Sequence, residues 1–314
     1  MDRRNFLKTG GIALLGSLTT GSAMALATPG ALGGEGADKK ATVALAMNHF
    51  GVSEADLKKV LAAALEKGGE YADLFFEHTI TNSIRLMDGA VNNSYSNIDY
   101  GVGVRVLIGD QSGYAYVENI TLEDMLKAAR TAARIASANK GNKPLNLTEK
   151  VLKKNYYTVA SPWEEVSLKD KMPYLQKLND QIFALDKRVH KVQASQSDTT
   201  SHIFFCNSEG VMFYDYRPMV TLGAVCIMEE NGRTENGYAA RAYRRGFDFL
   251  SDEVVDVIAR EAVDQTSLLF KAIKPKGGEM PVVMGAGGSG ILLHEAIGHT
   301  FEADTRSSGT HNYR

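Results

Sequence analysis

Near the end of the chain, His294-Glu295-Ala296-Ile297-Gly298-His299 follows the apolar run Ile291-Leu292-Leu293, so two imidazoles and a carboxylate share one expected helix. Neutral imidazole nitrogens beside a carboxylate form the donor set of metal-assisted hydrolysis. The spacing, H-E-x-x-x-H, is one residue longer than the common H-E-x-x-H. At 3.6 residues per turn the shorter spacing leaves the rings about 40° apart around the helix axis, and the longer one about 140°. His294 and His299 therefore share an ion only if the helix bulges or breaks between them, for which a single-turn π-bulge, made easier by Gly298, is one device. A second ligand set, Glu295, His299 and Glu302 at i, i+4 and i+7, fits a regular helix but leaves His294 unused and ranks behind the first.

The residues leading into that helix narrow the choice of chemistry. Pro281-Val282-Val283-Met284 reads as a strand, and Gly285-Ala286-Gly287-Gly288-Ser289-Gly290 fits G-x-G-x-x-G between strand and helix. Alone, that fingerprint suggests a dinucleotide site. No βαβ unit with a ribose-binding acid follows it, which weakens the suggestion. The favoured reading is a tight turn at Gly287, Gly288, Ser289 and Gly290 that lets another backbone approach, such as an extended peptide substrate.

The chain's 314 residues, 44% hydrophobic and 23% charged, can bury more than one core. Net charge −2 with mixed signs gives no basic stripe, so a nucleic-acid partner is not expected. Cys206 and Cys226 lack C-x-x-C spacing. They read as a disulfide permitted by export, or as two small buried residues in neighbouring strands.

At the other end, Arg3-Arg4-Asn5-Phe6-Leu7-Lys8 precedes a run from Gly11 to Ala27 that is only mildly apolar, and Ala23-Met24-Ala25 and Ala25-Leu26-Ala27 offer cleavage sites. This resembles a twin-arginine signal occupying residues 1–27, with Arg3 and Arg4 as its signature and the periplasm or cell exterior as destination. An uncleaved anchor is the alternative. Once the signal is removed no stable membrane span is expected, because no later segment is long and apolar enough.

Residues 28–48 are Gly-rich and polar at first and read as a flexible lead-in. Residues 49–140 read as an α+β unit with helices after Ser53 and Thr121 and strands at Tyr71–Glu77, Ser83–Leu86 and Gly101–Ile108. A polar linker is expected at 141–154. Residues 155–275 read as a second α+β unit, with a helix from Leu168 to Leu185 in which Pro173 belongs to the first turn or marks a later start. Strands at 189–197, 202–207, 211–216 and 219–229 and a helix from Ser251 to Phe270 complete it. The fold class is therefore α+β, with antiparallel sheets and packed helices in the first and middle units, and 276–314 beginning a third.

The run G-A-G-G-S-G-I-L-L-H-E-A-I-G-H-T-F-E-A-D resembles the metal-binding segment of TldD-type members of the TldD/PmbA metallopeptidases. Tyr71-Ala72-Asp73-Leu74, Gly101-Val102-Gly103-Val104-Arg105-Val106 and Gly113-Tyr114-Ala115 are similar to the family's N-terminal domain. The resemblance implies one zinc ion per subunit held by His294 and His299, with Glu295 as the general base that takes a proton from the attacking water. It also implies hydrolysis of peptides or unfolded polypeptides, and a homo- or heterodimer with another TldD/PmbA-family subunit. In the family the third ligand is a cysteine from the C-terminal part of the catalytic domain, which the 314 residues do not include. Residues 305–314 resemble the family less than what precedes them, so a fragment or shifted frame, inactive by itself, is the expectation. A dipeptidyl-peptidase-III-like H-E-x-x-x-H enzyme, or a non-catalytic subunit keeping zinc for structure, stays open.

Overall fold

A computed structural model describes residues 42–109, 111–136, 146–150 and 159–301. The expected signal with Arg3 and Arg4, the competing ligand Glu302 and most of the 141–154 linker lie outside the described residues.

One sheet organises the chain. The strands are β1 (Tyr71–Met87), β2 (Ala90–Ile108), β3 (Gln111–Val117), β4 (Thr148–Glu149), β5 (Val189–Asn207), β6 (Val211–Glu230) and β7 (Arg233–Tyr243). Their order is β3-β2-β1-β5-β6-β4, with β7 also on β6. All pairings are antiparallel except the short parallel match of β4 with β6. The α+β class holds, and the strands of the two expected units prove to be continuous across the β1–β5 pairing, which runs from Asp73–Asn207 to Met87–Gln193.

Length explains how one sheet serves two cores. At about 3.3 Å per residue, a strand such as β1 spans more than 50 Å. Its Ala72, Leu74 and Phe76 enter a core formed with α1 (Val43–Phe50), α2 (Glu54–Leu65) and α3 (Leu122–Ile135). Its Ile84 and Leu86 enter a second core, under α4 (Leu168–Leu185) and α5 (Asp252–Leu269). β5 and β6 likewise contribute to both. Burying each such leucine or phenylalanine contributes about 1.5–3 kcal/mol.

Between the cores the buried face turns polar. Gln196, Asp198, Thr200 and His202 alternate along β5 and are all buried. Asp198 accepts hydrogen bonds from Asn82 at 3.0 Å, Gln196 at 2.9 Å and the ammonium of Lys171 at 2.5 Å. The carboxylate is thus matched by a cation and two amides, as burial of a charge requires.

Several local expectations are corrected. Residues 43–48 are not a flexible lead-in but most of α1, capped by the Thr42 hydroxyl, which accepts from the Leu45 amide, and anchored by buried Val43, Ala46 and Phe50. The four shorter strands expected in 189–229 are two, because β6 runs through Arg217-Pro218. There β6 pairs only with β5, since β4 takes Val211–Met212 and the pairing with β7 begins at Val220, so a missing ladder donor is tolerable. Pro173 lies in the second turn of α4, not the first, because a capping box between Ser167 and Asp170 fixes the start. Pro281–Met284 is not a strand: no neighbouring strand lies beside it among the described residues, and Val283 is 98% exposed.

Cys206 and Cys226 are both free and buried, on the neighbouring strands β5 and β6, and pack in different cores. They form no disulfide.

Candidate metal centre

Gly287 starts the site helix. Its φ of 109° and ψ of −121° belong to a region that side chains avoid, and it precedes α6 (Gly288–Ala296). Gly285, Gly287, Gly288 and Gly290 have open space where a Cβ would stand. The loop thus presents bare backbone. Among the described residues no parallel βαβ unit surrounds it, so the dinucleotide reading rests there on the glycines alone.

The helix breaks where the spacing demands. Ile297, at φ −126° and ψ −43°, leaves the helical region while its N–H still donates to the Leu293 carbonyl at 2.9 Å. A 3₁₀ turn, Gly298–Phe301, follows, with the Thr300 amide donating to the Ile297 carbonyl at 3.0 Å. Of the two expected distortions, a π-bulge and a break, the structure shows a break followed by a 3₁₀ turn. The change of chain direction at Ile297 carries His299 back toward His294.

The break brings the ligand candidates together. The rings of His294 and His299 lie 4.5 Å apart, centroid to centroid, at 67°. One donor atom from each of His294, Glu295 and His299 falls within 4.8 Å of the others. His299 Nε2 stands 3.6 Å from Glu295 Oε2. Gly298 permits this: a Cβ there would come to 3.3 Å of His294 Nδ1. Two imidazoles and a carboxylate at such separations suit a borderline ion such as zinc, and all three residues are exposed. Ile291, Leu292, Leu293 and Phe301 around them are also exposed, at 67%, 57%, 49% and 74%.

A second cluster escaped the sequence reading. His49 on α1, His78 on β1 and His202 on β5 gather beside Glu164, in the 3₁₀ turn Trp163–Glu165. The signal was present in the alternation: His78 follows Phe76, and His202 precedes Phe204, each pair on one face of its strand.

Comparison with known proteins follows the same outline. The family model for PmbA/TldA metallopeptidase domain 1 matches residues 72–136, and that for the central domain matches 161–270. A Haemophilus influenzae "Metalloprotease TldD homolog" is 35% identical over 75% of this chain and 50% of its own length. A "Zinc metalloprotease TldD homolog" from Saccharolobus solfataricus is 24% identical over 80% of this chain and 55% of its own. Among solved structures, TldE from Thermococcus kodakarensis shares the fold with a TM-score of 0.51 at 16% identity, over 68% of this chain and 47% of that one. A Thermotoga maritima protein does so with a TM-score of 0.56 at 18% identity, over 72% and 50%. The chain spans about half the length of the curated relatives it matches. With two family domains matched in order, upstream of a helix that gathers His294, Glu295 and His299, the chain belongs to the TldD/PmbA family of metallopeptidases.

Proposed function

We propose that these residues carry the metal-binding helix of a zinc-dependent peptidase acting on peptides or unfolded polypeptides. The observation that carries this reading is the helix break at Ile297, which sets His294, Glu295 and His299 within 4.8 Å of one another.

His294 and His299 would hold the ion through ring nitrogens. Zinc bound there would supply Lewis acidity toward a peptide carbonyl and a water. Glu295, next to the first ligand, would accept a proton from that water and return it to the leaving amine. The backbone of Gly287 and Gly288, with open space where side chains would stand, would offer N–H groups to an extended chain, which favours substrates read by backbone over those read by sequence.

Two imidazoles fill half of a tetrahedral shell, and a catalytic zinc has three protein ligands and one open position. Residues 1–314 by themselves are therefore proposed to bind zinc weakly and not to turn over peptide. A third ligand, and cover for Ile291, Leu292 and Leu293, would come from further family sequence. Likeness both to relatives named TldD and to a TldE structure supports a dimer with a family subunit. Export through the twin-arginine route to the periplasm or cell exterior is proposed from Arg3 and Arg4 alone; no helix among the described residues is long and apolar enough to cross a membrane.

The test is zinc content. In a protein extended to family length, His294→Ala and His299→Ala are each expected to lower bound zinc well below one per chain. Unchanged zinc in both variants would remove the reading.

A further inference from the structure

The histidine cluster between the two cores is not part of the metal centre and is built unlike one. His202 commits both its nitrogens: Nδ1 lies 2.6 Å from the Tyr214 hydroxyl, and Nε2 lies 3.2 Å from Glu164 Oε1. Its ring stacks on that of His49 at 4.5 Å and 27° and does not point an edge at it. The three imidazoles therefore do not turn nitrogens toward one point, as a metal would require. What they share is protons.

His49 Nε2 and His78 Nδ1 are 2.8 Å apart. A hydrogen bond of that length needs one ring to donate and the other to accept, so one of the two nitrogens must be bare. A first added proton is tolerable if it enters elsewhere on the pair. A second would leave N–H facing N–H.

We propose that His49, His78 and His202 form a proton-operated latch that holds helix α1 on the sheet at neutral pH and releases it on acidification. The geometry makes α1 the movable part. It is eight residues long, too short to persist alone, and His49 lies in its last turn. No residue of α1 is acidic, so its own element offers nothing to neutralise an imidazolium. Around it, β1 supplies His78, β2 the edge of the Tyr100 ring, β5 His202 and β6 Tyr214. Among the described residues two carboxylates come near. Glu149 on β4 accepts from the Val43 amide at the opposite end of α1, and Glu164 is already bonded by His202 and, at 3.0 Å, by the Tyr216 hydroxyl. One committed carboxylate faces three imidazoles.

The proton affinities run the same way. Burial foremost, then the neighbouring His202 and His78 rings, lower His49 to about 4 against the pull of Glu164. Burial and His202 lower His78 as well. An imidazole that resists protonation while docked is protonated once its helix leaves, and that difference drives release. Departure of α1 would uncover Phe50, which packs on Phe76 and Phe204 at ring distances of 5.5 and 6.5 Å.

The experiment is hydrogen–deuterium exchange of the full chain at pH 7.5 and pH 5, with rates divided by the intrinsic rate at each pH and read on peptides covering 43–52. Protection of α1 is expected to fall about tenfold at the lower pH while that of α5 is retained, as a local opening requires. In His49→Phe, which keeps the ring stack but cannot titrate, the fall is expected to shrink below about threefold. Constant α1 protection in the natural sequence, or an equal fall in the variant, overturns the latch. Should His49→Phe not fold, histidine ring resonances of the natural chain decide the matter. Rings of His49 and His78 titrating together with the α1 amides at one midpoint below pH 6 support it, and rings titrating near 6.5 with α1 unmoved overturn it.

Discussion

The imidazole of His299 stands 4.5 Å from that of His294, although five residues of a straight helix would turn them about 140° apart. Ile297 makes the difference by leaving the helix, and Gly298 by leaving room for the ring.

That role for Gly298 is testable. A methyl group there meets His294 Nδ1 at 3.3 Å, so Gly298→Ala should tilt the ring away from its partner. Zinc affinity, measured by competition with a chromogenic chelator, is expected to fall about tenfold, the low end for changes behind a ligand. Helix content by circular dichroism should not change. Equal affinity would mean that the glycine is incidental.

The buried pair in the polar belt gives a stability prediction. Lys171 and Asp198 are 4% and 0% exposed, so Lys171→Met strands a carboxylate and should cost about 3–5 kcal/mol in urea unfolding. Replacing Asp198 by leucine in the same chain should recover much of that loss. A single variant as stable as the natural sequence would show that water reaches the site.

Acid should weaken the fold before carboxylates titrate. His49 has a folded value of about 4 and an ordinary value of 6.5, so between these the unfolded chain binds more protons. The stability present above pH 6.5 is therefore lost progressively as pH falls toward 4, and the lowered His78 acts in the same sense. The urea midpoint should be lower at pH 5 than at pH 7.5, and the difference smaller in His49→Phe. Matching midpoints at the two pH values would contradict it.

How much of this was legible depended on local contrast. Helix α4 was legible from Leu168 to Leu185 by its apolar spacing, but its start stayed open at Pro173, because the capping box of Ser167 and Asp170 went unread. The long strands were read in pieces. Polar residues at Thr79–Ser83 and Asp198–Ser201 interrupt the apolar alternation, and only their pairing with each other across β1 and β5 shows that the strands continue. Helix α1 was missed because eight residues carry little periodicity; Val43, Ala46 and Phe50 acquire meaning from the core they enter. At Pro281–Met284 the error ran the other way, since branched residues suggest a strand that needs a neighbour to exist. At the metal centre, residue types and spacing announced both the ligand candidates and a distortion between them. Which form the distortion takes was not legible, because a π-bulge in the helix and a break at Ile297 can each turn His299 back toward His294. Alternation marks His78 and His202 as lying on the faces of Phe76 and Phe204, but that they meet each other and His49 was not legible, because the three come from distant elements.

Export is a separate question with a separate readout. Replacing Arg3 and Arg4 together by lysine is expected to hold the protein in the cytoplasm of its host, as fractionation and immunoblotting would show. An unchanged exported fraction would rule out the twin-arginine route.

The most direct test of the zinc-peptidase reading separates holding the ion from moving the proton. In a protein extended to family length, zinc per chain and hydrolysis of an unstructured peptide are measured for the natural sequence and for Glu295→Gln. The variant should keep nearly all its zinc while hydrolysis falls by about 10²–10⁴, the range for a lost general base. Undiminished hydrolysis in Glu295→Gln, or loss of the zinc along with the activity, would contradict the assignment of Glu295 as the base beside a centre held by His294 and His299.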